Sequence, residues 1–291
     1  MFSYAQAFDR NIGWLTTAEQ AKLRDSRVAI AGLGGVGGAY LLTLARLGVG
    51  GFNLADFDTF EIQNFNRQSG ATTATIGRSK IDVMTEMAKA INPELQINVF
   101  ADGVNAGNVE HFLNGADLYV DGLDFFVFDE RQRVFAMCAS RGTPAITVAP
   151  LGMGAAMLVF LPGKMTFEQY FQMGNKSEAE KAVRFLVGLS PSMLQAGYLV
   201  DPSRVDFVGR KGPSTAMACD LCAGIAATEA LKILLGRGRV FAAPWGIHFD
   251  AYKNKIRRTW RPNGNLHPLQ RFLIRAVKRR YASAAKSKST R

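Results

Sequence analysis

The first half of the chain alternates short apolar runs with stretches of helical periodicity. Five runs have the length and apolar content of buried strands, and they begin at Arg27, Gly50, Leu95, Ala116 and Pro144. Between them lie segments whose apolar residues recur every three or four positions, such as "SKIDVMTEMAKAIN" and "DERQRVFAMCASRG". Strands that alternate with helices at this spacing predict a parallel, doubly wound sheet with its ligand site at the carboxyl ends of the strands.

The pattern changes after Gly163. An irregular segment leads to an apolar helix predicted over 223–235, and "PWGIHFDAYKNKIRRTW" then indicates terminal strands. We therefore expect an α/β fold with a Rossmann-like, doubly wound, mostly parallel sheet that a C-terminal β-rich portion extends. The predicted division is 1–163 for the Rossmann-like portion, 164–262 for the irregular segment, long helix and terminal strands of the same domain, and 263–291 for a basic tail.

Composition indicates a soluble globular protein, with 48% hydrophobic residues and a mean hydropathy of +0.01. The longest apolar run, Pro144 to Leu161, is cut by prolines and glycines, so it predicts two buried strands and a turn rather than a transmembrane segment. Three cysteines suit a reducing, cytoplasmic environment. The pair in "CDLC" favours two small buried hydrophobic side chains, with a zinc or redox role as the alternative.

Positive charge is concentrated at the C-terminus. The net charge is +11, and 13 of the 35 basic residues follow Asp250 without a single acid, which leaves 22 basic against 24 acidic residues before that point. One helical stripe of the tail is apolar, and it comprises Leu269, Phe272, Leu273, Ala276 and Val277. This pattern favours a helix docked on the body of the protein, and the alternative is contact with an acidic partner, RNA or a membrane surface.

A glycine-rich turn follows the first predicted strand. Gly32, Gly34 and Gly37 fit G-x-G-x-x-G at the start of a helix, a pattern that places a nucleotide pyrophosphate on the helix N-terminus. Asp56 stands 19 residues after Gly37, where an acid binds a ribose. These residues suit NAD and ATP equally, so they leave the chemistry open.

The loop beyond the second predicted strand distinguishes the two nucleotides. It carries polar and charged residues up to the start of the next helix, namely Asp58, Asn64, Arg67, Gln68 and Lys80. Arginine and lysine together suit phosphate groups. The motif "DGLD" presents Asp121 and Asp124 near the same strand ends, where a carboxylate suits Mg²⁺. The pattern favours MgATP, and the alternative is that Asp58, Arg67 and Lys80 form a solvated loop network.

The chain resembles the ThiF/MoeB/HesA family of adenylyltransferases, relatives of the ubiquitin-activating enzymes. The resemblance rests on ordered motifs, "FDRNIGW", "RVAIAGLGGVGG", "DFDTFEIQNFNRQ", "GRSK", "INP" and "DGLD", and resumes at "AATEALKILLG". It implies a homodimer that uses ATP and Mg²⁺ to adenylate a carboxylate and releases pyrophosphate. The implied acceptor is the C-terminal glycine of a ubiquitin-like or sulfur-carrier protein, or a peptide.

The resemblance also assigns roles by matching position. Asp56 would bind the ribose, Asn64, Arg67 and Lys80 the phosphates, and Asp124 the magnesium ion. Arg10 would act in trans as an arginine finger on the γ-phosphate of the other subunit. The nucleotide-binding residues that follow are Gly32, Gly34, Gly35, Gly37, Asp56, Asp58, Asn64 and Gln68, and the catalytic residues are Arg67, Lys80, Asp124 and Arg10.

Three departures from the family pattern qualify these expectations. Family members commonly carry two C-x-x-C pairs that bind zinc, and this chain has one, so we predict no structural zinc. The family's acyl-accepting cysteine would fall near Gly209, where there is none, and Phe125 follows Asp124 where asparagine is common. Adenylation is therefore expected, and a thioester or persulfide step stays open.

Three other functions remain as alternatives. An enzyme like the tRNA threonylcarbamoyladenosine dehydratases adenylates a carboxylate without that cysteine and would use the basic tail on RNA. An NAD-dependent oxidoreductase is compatible with the glycines and Asp56 alone. A non-catalytic ATP-binding scaffold is the third.

Overall fold

The computed structural model describes residues 1–206 and 209–289, with side chains in the last helix described up to residue 279. Residues 280–291 of the predicted basic tail therefore lie outside the described side chains. Within this part of the chain eight strands form one sheet, with the order β3-β2-β1-β4-β5-β6-β7-β8. The strands are β1 Arg27–Ala31, β2 Gly51–Ala55, β3 Gln96–Phe100, β4 Leu118–Asp121, β5 Ala145–Leu151, β6 Gly154–Phe160, β7 Trp245–Asp250 and β8 Lys255–Trp260.

Strands β1 to β5 are parallel, and β6, β7 and β8 join by antiparallel pairing. The apolar run from Pro144 to Leu161 is the β5–β6 hairpin, in which Leu151 pairs with Gly154. The terminal β-rich piece is the β7–β8 hairpin on the edge of the same sheet. The predicted fold class, a doubly wound and mostly parallel sheet extended at its C-terminal end, is confirmed.

Helices cover both faces of the sheet. They are α1 Tyr4–Ala7, α2 Thr17–Asp25, α3 Gly35–Leu47, α4 Lys80–Ile91, α5 Val109–Phe112, α6 Phe128–Arg141, α7 Phe167–Phe171, α8 Glu178–Leu189, α9 Ala216–Leu235 and α10 Pro268–Ser289. One core packs α3, α4 and α9 against the sheet through aliphatic side chains such as Leu44, Met84 and Ala226. The opposite core packs α5 to α8 and is rich in phenylalanine. No helix among the described residues has both the length and the apolarity to cross a bilayer.

The segment after Gly163 is more regular than the sequence predicted. It contains α7 and α8. Phe167 and Phe171 of α7 pack with Phe160 of β6, and Phe185 of α8 packs with Phe171. Its buried side chains belong to the same hydrophobic core as those of β4, β5 and β6. Its aromatic side chains bury large apolar areas, which offsets the glycine, proline and serine breaks between the helices.

The helix predicted over 223–235 is longer than its sequence pattern indicated. Helix α9 begins at Ala216, after an extended Thr215, so Cys219 and Cys222 lie inside the helix rather than ahead of it. Both are buried free thiols.

Helix α10 docks on α8, as the favoured interpretation of the tail predicted, but with a different face. The apolar residue buried in this contact is Ile274, which packs with Val183 and Val187 of α8, while Leu273 and Val277 are partly buried beside it. Leu269 and Phe272 of the predicted stripe are 55% and 68% exposed. The stripe prediction was therefore wrong for these two residues, because it placed the centre of the docking face about one-quarter turn away.

Phe185 provides a test of the aromatic core. The side chain is 1% exposed and its ring lies 5.2 Å from Phe125 and 5.1 Å from Phe171. Phe185→Ala should lower the free energy of unfolding by about 3–5 kcal/mol, measured by urea titration. Phe272→Ala, at an exposed site, should change it by less than about 0.5 kcal/mol. Equal effects of the two substitutions would contradict the described packing.

Candidate nucleotide-binding site

The turn between β1 and α3 is held by direct contact between backbones. Gly32 has a φ of +83°, which favours glycine, and a Cβ there would overlap the carbonyl group of Gly122. A Cβ on Gly37 would overlap the carbonyl oxygen of Gly32 and approach Gly122. The three glycines thus join the start of α3 to the loop after β4. This contact lies at the carboxyl ends of β1 and β4, where the strand order reverses and doubly wound folds bind their ligands.

The other two predicted glycines leave the N-terminus of α3 open. Gly34 precedes the helix and offers no side-chain cap, so the first amide groups of α3 are free to bind an anion. A Cβ on Gly34 would meet only Gln68, at 3.5 Å. A Cβ on Gly35 would lie 3.0 Å from the Cys219 sulfur and 3.5 Å from Cγ of Arg67. Arg67 and Gln68 therefore flank the start of this helix.

Asp56 closes the opposite side of the turn, at the end of β2. One carboxylate oxygen accepts from the backbone N–H of Leu33 at 2.6 Å, and the other from that of Asp58 at 2.8 Å. Burial raises the pKa of this carboxyl group, while the two backbone donors and Lys80 oppose the shift. A carboxylate has about four lone-pair sites, so both oxygens retain capacity for the hydroxyl groups of a ribose.

Lys80 begins α4 and points back to the same strand end. Its ammonium group lies 2.9 Å from the Asp58 carboxylate, and its backbone N–H donates to the Asp58 carbonyl oxygen at 2.9 Å. The Lys80 side chain is only 8% exposed, whereas that of Asp58 is 53% exposed. The fold therefore fixes the Lys80 ammonium group, while the Asp58 carboxylate faces solvent. The solvent side of the pair is open to the phosphate groups of a ligand.

The loop from Glu61 to Gln68 folds on itself. Asn64 is buried and accepts from the Glu61 N–H at 2.9 Å, so its side-chain oxygen is already used by the loop. Arg67 donates to the Gln63 carbonyl oxygen at 3.0 Å and to the Asn66 side chain at 2.8 Å. The side-chain oxygen of Gln68 is buried without a partner among the described residues. Such a buried polar atom beside Gly34 suits a site that a bound ligand completes.

Asp124 lies on the loop after β4 and is exposed, with one oxygen accepting from the Phe126 N–H at 3.0 Å. Its backbone is fixed by Arg131, whose guanidinium group donates to the Asp124 carbonyl oxygen at 2.9 Å. The same group donates to three further carbonyl oxygens, those of Leu123, Phe125 and Val127.

Asp121, the other acid of "DGLD", is buried in an ion pair. Its carboxylate accepts from Arg131 at 2.8 Å and from the Thr147 hydroxyl at 2.9 Å, and it is 3% exposed. Of these two acids, Asp124 alone is available to a metal, because Asp121 neutralises a buried arginine. Among the described residues no three His, Cys, Asp or Glu side chains cluster as a metal site. A single carboxylate at Asp124 still fits Mg²⁺, which binds proteins through one or two carboxylates together with phosphates and water.

Within its own chain, Arg10 lies far from the glycine turn and the polar residues around it. It lies in a short turn whose Asn11 donates to the Leu47 carbonyl oxygen at 3.1 Å, at the C-terminal end of α3. The glycine turn is at the other end of this 13-residue helix, which at 1.5 Å per residue is about 20 Å long. The structure therefore brings the glycines together with Asp56, Asp58, Gln68, Arg67 and Lys80, and leaves Arg10 out.

The contacts of Arg131 and Cys219 were not predicted from the sequence. Arg131 contacts four carbonyl groups of one loop, and Cys219 packs against Gly35. An arginine in the middle of a helical pattern gives no sign that it will be buried. The available signal was Asp121 at the end of an otherwise apolar strand, since a buried acid requires a partner.

The comparison with known proteins identifies the family. A sequence profile of the ThiF family matches residues 8–268. The chain belongs to the ThiF family. The resemblance drawn from the motifs is thereby confirmed, and the match includes the segment from 164 to 214 that the motifs left unaligned.

Named ThiF-type relatives differ in what they act on. The tRNA threonylcarbamoyladenosine dehydratase of Haemophilus influenzae is 36% identical over 152 residues, which cover 52% of this chain and 57% of that protein. The sulfur carrier protein ThiS adenylyltransferase of Escherichia coli is 35% identical over 143 residues, which cover 49% and 56%. The chain thus matches just over half the length of these curated relatives. The crystal structure of Escherichia coli MccB with ATP shares the fold, with a TM-score of 0.65 and 21% identity over 87% of this chain and 70% of that one.

The glycine contact provides a test with a matched control. Gly37→Ala should lower the free energy of unfolding by about 1–3 kcal/mol, because the new methyl group has to displace backbone. Gly34→Ala should be nearly neutral in stability, since its Cβ would meet only the flexible Gln68 side chain at 3.5 Å. Urea unfolding of both variants measures the difference. Similar stabilities would show that the turn is less tightly packed than described.

Proposed function

We propose that this ThiF-family protein binds ATP with Mg²⁺ and adenylates a carboxylate, releasing pyrophosphate. The observation that carries the proposal is the arrangement around the N-terminus of α3. An uncapped helix end is flanked by Arg67 and Gln68 on one side and by Asp56 and Lys80 on the other. Family membership supports the same reaction class.

The geometry suits phosphoryl chemistry that needs positioning more than a base. The acceptor carboxylate is already a nucleophile, and one of its oxygens bonds to the α-phosphorus. The bond from that phosphorus to the bridging oxygen breaks, and its electron pair leaves with pyrophosphate. The amide groups of α3, together with Arg67 and Lys80, stabilise the negative charge of the phosphates. Asp124 would hold Mg²⁺, which supplies further neutralisation of that charge.

The acceptor we propose is the C-terminal carboxylate of a small ubiquitin-like or sulfur-carrier protein, or of a peptide. The relative that adenylates the sulfur carrier protein ThiS supports this choice. Thioester transfer to Cys219 is disfavoured. Its side chain is buried, and burial raises the pKa of the thiol, whereas the thiolate is the form that reacts.

A second candidate is an enzyme that adenylates a threonylcarbamoyl carboxylate on tRNA. It is supported by the similar dehydratase at 36% identity and by the basic residues after Asp250. Both candidates use the same ATP site, so they differ only in the acceptor. Pyrophosphate exchange that requires tRNA, and not a protein or peptide carboxylate, would favour the second.

The central test is ATP–pyrophosphate exchange with candidate acceptors. Lys80→Ala and Asp124→Ala should each reduce exchange by about a hundredfold or more, because each removes a charge acting on the phosphates or their metal. Lys89→Ala, at the far end of the same helix, and Asp25→Ala, on an exposed helix end, serve as matched controls and should retain exchange. Full exchange in Lys80→Ala would overturn the site assignment. Binding of NADH without binding of ATP would support an oxidoreductase instead.

The position of Arg10 supports a proposal that it acts in trans within a homodimer. In an equal mixture of Arg10→Ala and Lys80→Ala subunits, half of the dimers would be mixed and each would have one complete site. Activity should then recover to about a quarter of the wild-type level. The measurement is exchange before and after the subunits are remixed. Absence of recovery, with mixed dimers demonstrated, would exclude action in trans.

A further inference from the structure

Helix α10 packs against α8 through one of its faces. This contact determines which side chains of the helix lie on the outer surface. Ile274 is 5% exposed against Val183 and Val187 of α8. The Gln270 side chain donates to the Val187 carbonyl oxygen at 3.0 Å, and Lys278 forms an ion pair with Glu180 at 2.8 Å. The helix therefore has a defined rotation about its axis, and the side chains on the opposite face point away from α8.

An apolar row lies on the outer surface of this helix. Leu269 and Phe272 are 55% and 68% exposed, and Leu266, just before the helix, is 52% exposed. Ala276 is exposed as well, and spacings of three and four residues place 269, 272 and 276 on one stripe. Large apolar side chains that cluster on a surface in this way commonly mark a site of interaction.

A basic row runs beside the apolar one. Arg271, Arg275 and Arg279 recur every fourth residue and are all exposed. The sequence adds Arg280, Lys286, Lys288 and Arg291 beyond them, and contains no Asp or Glu after Asp250. Glu180 of α8, which pairs with Lys278 of this helix, also pairs with Arg184.

We propose that the outer face of α10 docks on an anionic lipid surface, an interaction beyond the proposed adenylation. The apolar row and the basic row together indicate which kind of partner binds this face. Leucine and phenylalanine insert between lipid headgroups while adjacent arginines bind the anionic groups, which is how interfacial amphipathic helices bind. A second copy of this face would bring like charge against like charge. Folded RNA offers phosphates to the arginines but no comparable apolar layer for Leu269 and Phe272.

The test is co-sedimentation of the full chain with vesicles. Phosphatidylcholine vesicles that contain phosphatidylserine should bind the protein, and phosphatidylcholine vesicles alone should bind it weakly. Arg271→Gln/Arg275→Gln should weaken binding to the anionic vesicles by about 30-fold, since each basic residue near such a surface contributes about fivefold. Leu269→Gln/Phe272→Gln should weaken it by about tenfold or more.

Matched controls separate the face from general charge and hydrophobicity. Lys22→Gln/Lys89→Gln removes two exposed charges elsewhere, and Val99→Gln/Val200→Gln removes two exposed apolar side chains. Both controls should bind vesicles as the wild type does, and all variants should keep the wild-type Tm. No vesicle binding by the wild type, or full binding by Leu269→Gln/Phe272→Gln, would overturn the proposal. A different set of results would assign the face to RNA. In that case added RNA would displace the vesicles through the same arginines, and the apolar substitutions would have no effect on vesicle binding.

Discussion

The site depends on a contact between three glycines. Gly32, Gly37 and Gly122 bring the turn after β1, the first turn of α3 and the loop after β4 into backbone contact, with no room for a Cβ. Side chains at these positions would separate α3 from the sheet and move its N-terminus away from the strand ends. The direction of the helix amides, and the distances from them to Asp56 and to the Asp124 loop, follow from that contact.

A buried ion pair between Arg131 and Asp121 holds the loop after β4 in place. Arg131 and Asp121 are 1% and 3% exposed, and a buried pair of this kind often adds little net stability compared with apolar packing. Its effect here is geometric, because the guanidinium group also binds four carbonyl groups of the loop that carries Asp124. The ring of Phe185 lies 4.6 Å from the same guanidinium group, so the phenylalanine-rich core supports the loop through Arg131.

Sequence predicted the parts of the structure that depend on local pattern. The alternation of apolar runs gave the sheet, and the glycine spacing located the turn, because both reflect neighbouring residues along the chain. The pairing of Asp121 with Arg131 and the docking face of α10 depend on which surfaces meet in three dimensions. Gln270 illustrates this difference, since it is a polar residue that is buried because the Val187 carbonyl oxygen accepts its hydrogen bond.

Cys219 lies close to the proposed nucleotide-binding site, but proximity alone does not make a cysteine a nucleophile. Its sulfur packs against the start of α3, beside Gly35, and so helps to join α9 to the helix that would bind the phosphates. That packing buries the thiol and raises its pKa, although the nearby Arg67 acts in the opposite direction. A nucleophilic cysteine has to be both exposed and deprotonated. Exposing this sulfur would remove a contact that positions α3, so in this arrangement the residue cannot serve both purposes.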